Sequence, residues 1–102
     1  MKIYYVTLNN DVEARSISQE LLRGKLAICT NWFPITCSYL WEGKITEEPE
    51  MVLLIKTKAG YRDKIEQIIK QNINYTNCIA ELPVSSINDE FALWLNTIPS
   101  IQ

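Results

Sequence analysis

The order of apolar patterns along the chain predicts an α+β fold with the element order β-α-β-β-α-β, followed by a short C-terminal helix. Runs of β-branched and aromatic residues, which favour strands, alternate with two stretches whose apolar residues recur at helical spacing. The pair Glu42-Gly43 separates two of the strand-type runs. It is typical of a tight hairpin turn, because glycine accepts a positive φ.

The first strand and the first helix are marked by their residue types and by the residues at the helix ends. The run 2–8 is rich in β-branched and aromatic residues and predicts a buried strand. A helix is predicted over 11–23, with Asn9-Asn10-Asp11 as the turn and N-cap and with Gly24 as the C′ residue. The residues expected on its buried face are Ala14, Ile17, Leu21 and Leu22.

The two middle strands are predicted to form a long hairpin. The outgoing strand covers 26–41, with an edge, bend or bulge at Pro34, because proline cannot donate a hydrogen bond to a ladder. The return strand covers 44–57 and is interrupted by Glu47-Glu48-Pro49-Glu50. We therefore expect an irregular, acidic middle in this hairpin.

The last third of the chain again alternates helix-type and strand-type patterns. A second helix is predicted over about 59–71 and a last main strand over 78–84. Asn88 or Asp89 is the expected cap of a short third helix, with Pro99 beyond its end. The residues predicted to carry the apolar faces of these two helices are Tyr61, Ile65, Ile68, Ile69, Phe91, Leu95 and, less centrally, Trp94 and Ile98.

These elements form the split β-α-β, or ferredoxin-like, arrangement, in which an antiparallel sheet carries helices on one face. We expect one domain over 1–102, since no linker, repeat or low-complexity segment divides the chain. The opposite sheet face carries Tyr and Trp as well as aliphatic side chains and therefore needs a cover. A subunit partner is the simplest cover.

Composition excludes several classes of function. The 102 residues contain no histidine, so one chain cannot build a Ser-His-Asp or Cys-His arrangement or a His-containing zinc site. The net charge of -2 gives no electrostatic reason to expect a nucleic acid or an acidic membrane as partner. No Gly-rich phosphate loop, paired-carboxylate motif or membrane-length apolar run is present. We therefore expect that the protein is not an enzyme.

The three cysteines indicate a reducing compartment. Cys29, Cys37 and Cys78 are odd in number and widely spaced, and they contain no CxxC pair. The chain also opens directly on a strand-type run, with no apolar signal region. We interpret the cysteines as reduced thiols and expect a cytoplasmic protein.

Several segments resemble the CutA family of divalent-cation tolerance proteins. The strongest match is 39–45, Tyr-Leu-Trp-Glu-Gly-Lys-Ile, which resembles the family's Tyr-x-Trp-Glu-Gly-Lys-Ile segment. The segment 25–31 resembles its Lys/Arg-Leu-Ala-Ala-Cys-x-Asn strand, and 54–57 resembles its apolar-Lys-Thr strand end. Segments 82–84 and 91–95 resemble the closing segments, so the resemblance covers nearly the full chain.

The resemblance implies a ferredoxin-like subunit in a compact homotrimer, in which the hairpin strands extend sheets between subunits. It also implies a cytosolic role in tolerance of copper and other divalent cations. One segment departs from the family: 72–78 stands where a His-Pro-Tyr-Glu-x-Pro-like segment is common, and only Tyr75 matches. A metal role of the family histidine therefore cannot be transferred to this chain.

Cys29 and a group around the hairpin turn are the candidate site residues. Cys29 matches the family cysteine; its thiolate would suit Cu(I) or another soft metal, whereas a small apolar cysteine in a strand is also typical of a core. The acidic residues Glu47, Glu48 and Glu50 are read as solvated edge-strand charges, with weak cation binding as the alternative. The candidates for a ligand cleft or a trimer interface are Tyr39, Trp41, Glu42, Gly43, Lys44, Lys56 and Tyr75.

Three functional hypotheses remain open from the sequence. The first is a homotrimeric CutA-like protein that acts by binding copper, another divalent cation or a small ligand. The second is a trimeric small-ligand sensor or signalling scaffold, similar in fold to nitrogen-regulatory PII proteins, with no metal role. The third and weakest is an enzyme that uses Lys, Tyr and Glu in a cleft between subunits.

Overall fold

The structure, a computed structural model, describes residues 1–100. The strands form one antiparallel sheet in the order β2-β3-β1-β4. The α+β, ferredoxin-like fold predicted from the sequence is thereby confirmed. The elements are β1 (Lys2–Leu8), α1 (Asp11–Arg23), β2 (Cys29–Trp41), β3 (Lys44–Thr57), α2 (Arg62–Asn72), β4 (Ile79–Pro83) and α3 (Asp89–Leu95).

The core lies between one face of the sheet and the helices. In β1 every second side chain is buried, so that Tyr4, Val6 and Leu8 point toward the core while the residues between them occupy the other face. From α1 the core receives Ala14, Ile17 and Leu21, as the helical spacing predicted. Leu22 was expected on this face and is instead exposed, because the buried stripe of α1 is narrower than predicted.

The ends of α1 show one confirmed and one wrong expectation. Asn10 is the N-cap, and its Oδ1 accepts a hydrogen bond of 2.9 Å from the backbone N–H of Glu13. Gly24 is the C-cap residue with right-handed φ of -78°, whereas Lys25 holds the left-handed C′ position with φ of 57°. The backbone N–H of Leu26 donates to the carbonyl oxygen of Leu21, the last buried residue of α1. This hydrogen bond completes a Schellman motif.

The hairpin of β2 and β3 is continuous, so the predicted irregular middle is wrong. The ladder pairs Pro34 with Met51 and Thr36 with Pro49 without a break. Both prolines are tolerated because each lies where its strand has only one neighbour: β2 is at the sheet edge, and β1 pairs with β3 only from Met51 onward. β2 also begins at Cys29, three residues later than predicted, because the preceding residues close the helix.

The hairpin turn has the predicted form. Glu42 and Gly43 have φ of 51° and 77°, which is the pattern of a type I′ turn. Beyond the end of β1 the hairpin projects as a two-stranded arm, and the molecule measures 46 × 27 × 21 Å. This turn therefore lies far from the main core.

The remaining elements differ from prediction mainly at their ends. Helix α2 begins at Arg62, three residues later than expected, and β4 is one residue shorter at each end. Asn88 is the N-cap residue of α3 by position, but its side chain makes no capping hydrogen bond. Leu95 and Ile98 are buried, whereas Trp94 is largely exposed. Over residues 1–100, no helix has the length and apolar character needed to cross a membrane.

Candidate functional site

A groove of about 740 Å³ separates the projecting part of the β2–β3 hairpin from the loop that precedes β4. We call it the hairpin groove. The hairpin and the loop form its two walls, and the end of β1 forms its floor. The lining residues are Cys37, Tyr39, Trp41, Thr46, Glu48 and Glu50 from the hairpin, Tyr75, Thr76, Asn77 and Cys78 from the loop, and Thr7 and Asn9 from the end of β1.

The hairpin side of the groove follows from the strand periodicity. Residues two apart in a strand point to the same face of a sheet, so Cys37, Tyr39 and Trp41 share one face. In the antiparallel register Cys37 lies opposite Glu48, and Tyr39 lies opposite Thr46. By the same alternation this is the sheet face opposite α1 and α2. The groove therefore lies on the face that the helices leave open.

The loop side of the groove is held in place by hydrogen bonds to β1 and α1. The Tyr75 hydroxyl donates to Glu13 Oε1 at 2.6 Å and accepts from the backbone N–H of Asn9 at 3.0 Å. The Asn77 side-chain amide donates to the backbone oxygen of Thr7 at 2.9 Å. These hydrogen bonds hold the loop wall against β1 and α1.

Carboxylates give the hairpin groove a negative character. Desolvation by burial, and next the negative charge of Glu50, raises the pKa of the Cys37 thiol. A side-chain hydrogen bond with Glu48, followed by burial, raises the pKa of the Tyr39 phenol. Both groups are held in their neutral forms beside these carboxylates. No lysine or arginine occurs among the residues that line the groove.

A second groove, of about 520 Å³, lies along α2 and the loop before β4 and shares Tyr75 with the first. Its two charged residues neutralise each other, since Lys70 Nζ lies 3.1 Å from Glu66 Oε1. Within residues 1–100 this is the one ion pair, so Glu48 and Glu50 have no cationic partner there. The two grooves therefore differ in their electrostatics.

The structure brings together three of the predicted site residues and separates the others. Tyr39, Trp41 and Tyr75 line the same groove although the loop and the hairpin are far apart in sequence. The turn residues 42–44 are exposed and lie outside the lining of the groove. Lys56 lies at the other end of the hairpin, where its Nζ is 5.6 Å from the centroid of an aromatic ring of α3. Within one chain Lys56 therefore does not face the hairpin groove.

Cys29 occupies a different environment from the groove. It is half-buried and lies directly opposite Lys56 in the β2–β3 register. Its thiol lies 3.9 Å from the backbone oxygen of Thr30. Over the part of the chain that the structure describes, no three His, Cys, Asp or Glu side chains are arranged to hold a metal ion.

Of the six hairpin residues that line the groove, the sequence predicted only Tyr39 and Trp41 as site residues. Cys37 was interpreted only as a reduced thiol, and Glu48 and Glu50 were read as solvated charges on an edge strand. The signal that could have found them is the period of two: 37, 39 and 41 share one face, and the register places 48 and 46 opposite the first two. Because the hairpin was expected to be irregular in its middle, the pairing of these residues across the two strands was not predicted.

The comparisons with known proteins agree with this architecture. A sequence model of the family described as CutA1 divalent ion tolerance protein matches residues 2–98. The chain belongs to the CutA family. The resemblance drawn from the Tyr-Leu-Trp-Glu-Gly-Lys-Ile segment and its companions is therefore confirmed.

Individual CutA proteins resemble the chain over most of its length. The divalent-cation tolerance protein CutA of Archaeoglobus fulgidus is 34% identical over 93 residues, which cover 90% of this chain and 91% of that protein. The protein CutA homolog of Xenopus laevis is 34% identical over 96 residues, which cover 92% of this chain but 64% of the relative. The solved structure of the periplasmic divalent cation tolerance protein CutA from A. fulgidus has a TM-score of 0.90 at 33% identity, covering 96% of this chain and 98% of that one.

Proposed function

We propose that this CutA-family protein is a homotrimer that contributes to tolerance of divalent cations, copper among them, by binding and not by turnover. The observation that carries the proposal is the hairpin groove, which has preformed walls on the sheet face that the helices leave open. Clefts of 300–1,000 Å³ or so are the usual size of small-ligand sites, and such sites favour subunit boundaries. The trimer would be built from one domain per chain.

Exposed apolar side chains support assembly. On the open face Phe33 is 42% exposed and Leu82 is 45% exposed, although both belong to sheet strands. On the projecting arm Leu40, Trp41 and Ile45 are more exposed still. A partner subunit would remove these surfaces from water, and closed symmetric assembly is the usual way to do so.

The metal part of the proposal relies on sulfur and oxygen ligands, since the chain has no histidine. Cys29 is the candidate thiol. One chain supplies one such thiol, so a Cu(I) site at Cys29 would need copies from several subunits. The ammonium of Lys56, directly opposite, would have to move away from a bound cation.

A PII-like small-ligand sensor is the second candidate function. The aromatic side chains in the hairpin groove favour it, because Tyr39, Trp41 and Tyr75 offer flat apolar surfaces that a bare metal ion does not need. In this alternative metal has no role, and ligand binding would be read out by a partner of the trimer.

Light scattering and copper titration test the proposal in one preparation. We expect a mass three times the 11.8 kDa of the chain, and copper binding that weakens in Cys29→Ser but not in the control Ser38→Ala, whose side chain lies on the other face of β2. A monomer would contradict the assembly. A wild-type protein that binds no copper would remove the metal mechanism and leave the sensor.

The proposed location is the cytoplasm. Cys29, Cys37 and Cys78 are all free thiols, as is usual in a reducing compartment. Fractionation of cells that express the tagged chain tests this point, and recovery from any other compartment would contradict it.

A further inference from the structure

We draw no further inference here: the strongest candidate, the exposed apolar pair Leu93 and Trp94 on the short helix α3, is an unpartnered face, and nothing in the structure shows what covers it.

Discussion

The phenol oxygen of Tyr75 lies 2.6 Å from Oε1 of Glu13, and this hydrogen bond joins the loop before β4 to the first turn of α1. The same phenol oxygen accepts a hydrogen bond from the backbone of Asn9, whose N–H also lies 3.0 Å from the Glu13 carboxylate. Tyr75 is also a wall of the hairpin groove. The position of that wall therefore depends on a contact between residues 62 positions apart.

We expect Tyr75→Phe to lower the free energy of unfolding by about 1 kcal/mol, measured by urea denaturation. The loss is moderate because the Glu13 carboxylate keeps its contact with the Asn9 N–H and both partners are only partly buried. Tyr5→Phe, which removes a phenol hydroxyl from the open face of β1, is the control. An equal effect of the two changes would show that the Glu13 contact contributes nothing specific.

Stability should fall in alkaline solution above the ordinary tyrosine pKa of 10.0. Burial and hydrogen bonds to carboxylates raise the pKa of Tyr4, which contacts Glu81, and of Tyr75, which contacts Glu13. The folded chain thus holds these protons more tightly than the unfolded chain. Their contribution is fully present below pH 10.0 and is lost as pH rises toward the folded pKa values, because only the unfolded phenols ionise readily there.

Urea denaturation between about pH 8 and about pH 11 measures this dependence. The double variant Tyr4→Phe, Tyr75→Phe should show a flatter decline than wild type, since it has lost both shifted groups. A decline of the same slope in both proteins would assign the alkaline instability to other residues.

Ser18→Ala should leave stability unchanged or raise it by up to about 1 kcal/mol. Ser18 is 2% exposed, and within the described residues its Oγ has no hydrogen-bond partner. Alanine removes this unsatisfied group and is a better helix former. Thermal unfolding followed by circular dichroism tests the expectation, and a clear loss of stability would mean that the hydroxyl has a partner in the assembled protein.

Thr57→Val should have the opposite effect and lower stability by about 1–2 kcal/mol. The Thr57 hydroxyl donates to the backbone oxygen of Leu26 at 2.6 Å, and the side chain is fully buried. Valine keeps the shape but leaves that carbonyl without this donor. Thermal unfolding followed by circular dichroism measures the loss of stability. An unchanged stability would show that this hydrogen bond does not stabilise the segment between α1 and β2.

The hairpin turn allows a prediction about backbone strain. Gly43 has φ of 77°, so Gly43→Ala should cost about 1 kcal/mol even though an added Cβ would meet nothing within 4 Å. Glu42→Asn should instead be neutral or slightly stabilising, because asparagine suits the first central position of a type I′ turn. Urea denaturation of both variants is the measurement, and a harmless Gly43→Ala change would argue that strain is absent.

The local predictions succeeded where one stretch of sequence contained all the necessary information. Helix α1 begins and ends where its Asn10 cap and its apolar spacing indicated, and the Glu42-Gly43 turn has the expected geometry. They failed where a neighbouring segment decided the outcome. Pro49, in the acidic stretch 47–50, predicts a break in the return strand of the hairpin. The β2–β3 ladder continues through Pro49 because β1 pairs with β3 only from Met51 onward, so Pro49 has no second neighbouring strand. Gly24 reads as the left-handed residue, yet Lys25 takes that conformation.

By itself the sequence determined the element order, the hairpin turn and membership of the CutA family, because these depend on residue types at short spacing and on motifs in a fixed order. Only the tertiary structure decided that Glu48, Glu50 and Tyr75 share one groove. β1 pairs with β3 on one side and with β4 on the other, and this pairing carries the hairpin and the loop before β4 to opposite walls. Such contacts join residues far apart in the chain, and no local pattern records them.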